Sequence, residues 1–121
     1  MGFEIQTADW KKEKHAPVIE CPDVVKAGQP FEVKVSVGKE IAHPNTAEHH
    51  INWISLYFQP EGDKFTYQVG HFEFNGHGEG TAFTTPSASV TLKVDKPGTL
   101  RALSLCNLHG LWESEQPLGL E

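Results

Sequence analysis

The chain has one methionine, Met1, and only two cysteines, Cys21 and Cys106, among its 121 residues. Two cysteines cannot build the disulfide framework of a small secreted domain, and a reduced compartment is the expectation. Long apolar runs are missing: none approaches the ~18 residues of a membrane span. The opening Met1-Gly2-Phe3-Glu4 has neither the basic start nor the apolar stretch of a secretory signal, which points to the cytoplasm. Positive charge is scarce. Ten Lys and Arg face sixteen Asp and Glu, a net charge of −6, which argues against nucleic acid and anionic membranes as partners. No segment carries a long 3.6-residue period, so no long helix is expected. No repeat, linker or low-complexity tract divides the chain, and residues 1–121 are expected to form one domain.

Period-2 alternation is abundant instead. Phe31, Val33, Val35 and Val37 share one face of a segment whose other face carries Glu32, Lys34 and Ser36, the pattern of a half-buried strand. The segment 51–58 is nearly all apolar, as a central strand covered on both faces would be. Phe65, Tyr67 and Val69 alternate, Phe72 and Phe74 follow, and Gly76 to Gly80 read as a loop. Ala88, Val90, Leu92 and Val94 alternate again. Pro60-Glu61-Gly62-Asp63 and Asp95-Lys96-Pro97-Gly98 are turn signals, and 99–106 reads as the last long strand. Strands at this spacing predict an all-β, immunoglobulin-like antiparallel β-sandwich, with a barrel as the alternative. One helical turn is expected at 45–48, with Asn45 as its cap and Glu48 returning the bond.

Histidine, with seven copies, is the residue in excess. Cys106-Asn107-Leu108-His109 ends the last long strand with a thiolate and an imidazole at metal-ligand spacing. His15, His43 and His49 bring the candidates to four nitrogens and one sulfur. Structural zinc is satisfied by four tetrahedral ligands, whereas five favour a square-pyramidal iron with one open position. A blue-copper site is the alternative, because it too uses a sandwich, an upstream His and a C-terminal Cys and His. It lacks its axial Met here, and only Gln116 could stand in. His50, His71 and His77 are read as non-ligands. His50 follows His49 and points to the other side of an extended chain, and His77 lies in a glycine-rich loop. Cys21 is read as a small packing residue and Trp112 as an apolar wall. Lys11, Lys12 and Lys14 form the densest positive cluster in an acidic chain, which suits a small anionic substrate.

Three stretches carry a resemblance: Glu13-Lys14-His15-Ala16-Pro17, the run from Gly38 through His43, His49 and His50 to Ile51, and the run from Ser104 through Cys106 and His109 to Glu113. In this order they closely resemble superoxide reductase, in its one-iron, neelaredoxin-type branch, over about 7–115. The two-iron desulfoferrodoxin branch adds an N-terminal Cys-rich domain, and no Cys precedes Cys21 here. The resemblance implies reduction of superoxide at an iron held by His15, His43, His49 and His109, with Cys106 as the axial thiolate. It implies that Glu13 closes the sixth position when iron is ferric and that Lys14 attracts superoxide and aids protonation. It further implies a rubredoxin donor and a tetrameric assembly. Ala42 and Ala16 depart from the Pro and Val usual in the family and leave every ligand in place. Backbone N–H groups of Leu108 and His109 are expected to donate to the Cys106 sulfur and tune it. A non-catalytic electron carrier or metal store on the same sandwich is the competing reading.

Overall fold

The computed structural model describes residues 4–121. Its strands, in chain order, are β1 (Gln6–Thr7), β2 (Val18–Glu20), β3 (Val24–Val25), β4 (Phe31–Ser36), β5 (Ile51–Pro60), β6 (Tyr67–Glu73), β7 (Ser87–Leu92), β8 (Gly98–Cys106) and β9 (Gly110–Leu120). They form two sheets, one ordered β1-β9-β8-β5-β6 and one ordered β2-β4-β7, with β3 added to β9. Among the described residues there is no α-helix, only a 3-10 turn over Glu79–Thr81.

The core lies between the sheets, as the alternation requires. Val33 and Val35 of β4 meet Ile54 and Leu56 of β5 and Leu100 and Ala102 of β8, all six at 0 % exposure. Each large aliphatic side chain removed from water in this way contributes about 1.5–3 kcal/mol. The all-β sandwich expected from the sequence is therefore the fold.

Three features differ from the sequence reading. The last long strand is β9, paired with β8 along its whole length from Cys106↔Gly110 to Gly98↔Leu118. Its Glu113, Glu115, Pro117 and Gly119 hide the alternation, and Leu118 is its one fully buried side chain. The sheet is not wholly antiparallel, because β1 and β3 both join β9 in parallel. Phe65 and Tyr67 are more than 45 % exposed and lie outside the core. The change of phase between Val69 and Phe72 in the sequence has a structural cause. A β-bulge sets Leu56 opposite Gly70 but Tyr57 opposite Gln68, so Val69 is an extra residue and the alternation shifts by one.

Candidate metal centre

Three chain segments converge at one end of the sandwich. The first is the loop between β1 and β2. The Asp9 carbonyl accepts from the backbone N–H groups of Lys12 and Glu13, turning the chain so that His15 is buried. Ser104 Oγ of β8 reaches the His15 carbonyl at 3.4 Å and ties the loop down. The second segment runs from 37 to 50. It enters through Gly38 at φ +91°, where a Cβ would stand 2.8 Å from the backbone nitrogen of His43, so only glycine fits. The expected helical turn at 45–48 is absent. Thr46, not Asn45, closes this stretch: its Oγ1 accepts from the His49 N–H at 3.0 Å, and its own N–H donates to the His49 carbonyl at 2.9 Å. Asn45 instead donates to the Thr84 carbonyl. The third segment is the Cys106–Gly110 reversal joining β8 to β9, which Gly110 completes at φ +79°.

Four imidazoles close a ring. Successive centroids lie 4.9 Å apart for His15–His43, 4.7 Å for His43–His49, 5.0 Å for His49–His109 and 4.8 Å for His15–His109. The angles between their planes are 76°, 77°, 67° and 78° in the same order. The His15–His49 diagonal is 6.2 Å. Donor atoms of His15, His49, Cys106 and His109 all lie within 4.8 Å of one another. His43 lies outside that tightest group and completes the ring, with its Nε2 3.5 Å from the Cys106 sulfur. Cys106 is 1 % exposed, whereas His109 is open to solvent, so the cluster has a buried thiol side and an accessible edge.

Hydrogen bonds fix which nitrogens face inward. His15 Nδ1 lies 2.9 Å from the Glu13 carboxylate and His43 Nδ1 lies 2.6 Å from the Pro44 carbonyl. Both oxygens only accept, so Nδ1 carries the proton and Nε2 turns a lone pair to the centre. Trp112 stacks on His15 with centroids 4.9 Å apart and planes at 13°, and its indole N–H donates to the His109 carbonyl at 3.2 Å. The indole is thus a wall, as the sequence suggested, and also a brace for the His15 ring and for the backbone of His109. Only coordinates reveal this stack; the Trp three residues after His109 was its one signal.

Burial pushes the His43 imidazole down to about 4, and the neighbouring His15, His49 and Lys14 charges add to this, so the ring is neutral at pH 7. Burial also lowers His49, helped by His109, His15 and Lys14. Lys14 is half-buried, and its field reaches both rings. Burial would raise Glu13, but the backbone N–H and ring of His15 outweigh it and hold the carboxyl below its usual range. The Glu13 carboxylate is therefore occupied on the outer nitrogen of His15 in this conformation and is not one of the converging donors. The expected Leu108 and His109 N–H bonds to sulfur are not found among the described residues. The polar neighbours of the Cys106 sulfur are the His43 and His109 rings, at 3.5 and 3.8 Å.

The donor set fits a metal ion. His49 Nε2 is buried and has no hydrogen-bond partner among the described residues. His15 Nε2 and His109 Nδ1 are 3.0 Å apart. Two imidazole nitrogens each about 2.0–2.1 Å from one ion and at right angles would be about 3.0 Å apart. In the metal-free chain the same spacing lets a proton on His109 Nδ1 bridge to the His15 Nε2 lone pair, a place that an ion would take over. The remaining polar candidates separate from the cluster. His50 turns its Nδ1 to the Thr46 carbonyl and stacks on His77, and His71 bonds Ser55 Oγ on β5. Gln116 donates to the sulfur of Cys21, so it is not aimed at Cys106 and the copper alternative loses its axial substitute.

Known proteins resemble this chain over nearly its whole length. Residues 7–115 match the Desulfoferrodoxin family. Neelaredoxin of Megalodesulfovibrio gigas is 57 % identical over 96 % of this chain and 95 % of its own length. The superoxide reductase of Pyrococcus furiosus is 54 % identical, over 94 % of this chain and 95 % of its own. The solved structure of superoxide reductase (neelaredoxin) from Archaeoglobus fulgidus in the reduced form superposes with a TM-score of 0.88 at 55 % identity, covering 96 % of this chain and 98 % of that one. The chain belongs to the desulfoferrodoxin family.

Proposed function

We propose that the chain is a superoxide reductase, taking one electron and two protons to convert superoxide to hydrogen peroxide at a single iron. The observation that carries the reading is the closed ring of four imidazoles against one buried thiol, open to solvent along His109. His15, His43, His49 and His109 would hold the ion with their inward nitrogens, and Cys106 with its sulfur. When bound, iron supplies the one-electron couple, with the soft thiolate donating electron density to it. The family membership and the printed activities of the relatives support the same reading.

The chain's own residues set the conditions for this chemistry. The Glu13 carboxylate holds the His15 proton at Nδ1 and keeps Nε2 free as a donor. The Pro44 carbonyl does the same for His43. Lys14 places a positive charge beside neutral rings, drawing a small anion toward the open edge and offering its ammonium protons there. Lys11 is committed elsewhere, with its ammonium 5.5 Å from the centre of the Trp10 ring. Glu13 as a ligand of the ferric state requires its carboxylate to leave His15, and we assign it that role only after such a rotation.

Re-reduction needs a donor. Rubredoxin is the proposed one, docking transiently at the exposed His109 edge in the cytoplasm, with the chain assembled as a tetramer. The test is metal content together with steady-state consumption of superoxide. Stoichiometric iron, with consumption that depends on an added reductant, is the expected result. Iron without turnover would make the chain a carrier or store, and a chain purified with copper would overturn the assignment.

A further inference from the structure

Asn107 is not a ligand candidate, and it is exposed. Its three hydrogen bonds nevertheless all run to one place. Its carboxamide oxygen accepts from the His50 N–H at 2.8 Å, and its carboxamide nitrogen donates to the Glu48 carbonyl at 2.9 Å. Its backbone N–H donates to the His50 carbonyl at 3.1 Å. The side chain thus grips the backbone on both sides of His49. Together with the backbone bond to His50 it reinforces the chain pairing one step beyond the Ile51↔Cys106 pair that ends the β5–β8 register. Asn107 itself follows Cys106 and precedes His109 by two residues. One carboxamide therefore joins the segment that carries His49 to the reversal that carries Cys106 and His109, three of the four donors in the tightest group.

We propose that Asn107 is a positioning residue that holds His49 in register with Cys106 and His109, so that the affinity and electronic character of the metal centre depend on a side chain that touches no metal. The inference rests on the metal-centre reading above. A carboxamide suits the task because it presents one acceptor and one donor side by side, as a peptide unit does. A residue with only one of the two functions leaves either the His50 N–H or the Glu48 carbonyl without its partner.

The test uses the full apo-chain and Co2+ as probe, titrated against a chromophoric chelator, with the thiolate-to-metal absorption recorded in parallel. Asn107→Ala is expected to raise the Co2+ dissociation constant about 10–100-fold, the usual effect of losing a support behind a ligand, and to shift the thiolate band. Asn107→Asp keeps the acceptor for His50 but sets a carboxylate against the Glu48 carbonyl. Charge alone predicts tighter cation binding in that variant, whereas the clamp predicts weaker binding. An alanine variant within twofold of the unmodified chain, with an unshifted band, would overturn the inference, as would a tighter-binding aspartate variant. A measurement free of substitutions stands beside these: the His50 amide of the apo-chain should exchange its hydrogen slowly, and rapid exchange would overturn the clamp. An unmodified chain that bound no Co2+ would sink the metal-centre reading and this inference together, whereas failure of the variants alone sinks only the inference.

Discussion

Two histidine clusters occur in this molecule, and adjacent residues contribute to them: His49 enters the ring of four, His50 the pair with His77. In the ring, neighbouring planes meet at 67–78°, and donor atoms of His15, His49 and His109 come within 4.8 Å of one another, so these imidazoles turn a nitrogen edge inward. In the pair, the planes lie at 11° with centroids 3.4 Å apart, face on face. An imidazole's lone pair lies in the plane of its ring. Edge-inward rings therefore converge their lone pairs on a point, and stacked rings hold theirs parallel and cannot share an ion. Both clusters are built on imidazoles in close contact, but one converges its donors beside a buried thiol and the other stacks two rings with no thiol, and only the first is a metal site.

The largest expected effect comes from exchanging the partners. His49→Ala removes a converging donor and should weaken metal binding by more than the 10–100-fold typical of residues that merely support a ligand. His50→Ala should leave metal stoichiometry unchanged and cost about 0.5–1.5 kcal/mol of stability, through its lost bond to the Thr46 carbonyl. Metal titration and urea unfolding of the two variants measure this, and equal loss of metal in both would erase the distinction.

Acid should act next. His43 is held neutral in the folded apo-chain with its titration near 4, against about 6.5 when unfolded. Between those values the unfolded chain binds the extra proton, so stability falls as pH falls through that window. The contribution is complete above about pH 6.5 and gone below about pH 4. Urea midpoints of the apo-chain across this range should drop, and the drop should shrink in His43→Ala. A flat profile would contradict the buried neutral ring.

The smallest expected effect belongs to Lys14. Lys14→Ala removes one charge near the ring and no donor, so iron content should hold. The second-order rate with superoxide should fall several-fold, and its dependence on ionic strength should flatten, because the lost attraction is one that salt screens. Pulse radiolysis at two salt concentrations reads both quantities.

The sequence made the long interior strands and the donors legible for the same reason. Val33, Val35, Ile54 and Leu100 must alternate or run together to fill the core, and His15, His43, His49, Cys106 and His109 have few uses that fit their spacing. Strand β9 was illegible because its outward residues are acidic or proline and only Leu118 is fully buried. The strands β1 and β3 are two residues each, too short for any period. The turn before His49 misled because Asn45 and Thr46 both cap well, and the choice between them depends on Thr84, far away in sequence, which engages Asn45. Nothing in the sequence distinguishes an edge-inward histidine from a stacked one, since that difference lies in side-chain torsions fixed by packing.

The contact between His15 and His109 spans 94 residues of chain. The Cys106 and His109 side chains are three residues apart and can meet in an unfolded chain, whereas His15 arrives only after most of the polypeptide has been drawn into one loop. Closing so long a loop is entropically costly and puts the completed ring among the late events of folding. An ion captured before that point would be held by a short thiol–imidazole chelate alone. Once the ring has closed, the same ion acts as a cross-link between the two ends of the chain, resisting release of the N-terminal segment and making metal loss and unfolding a single event.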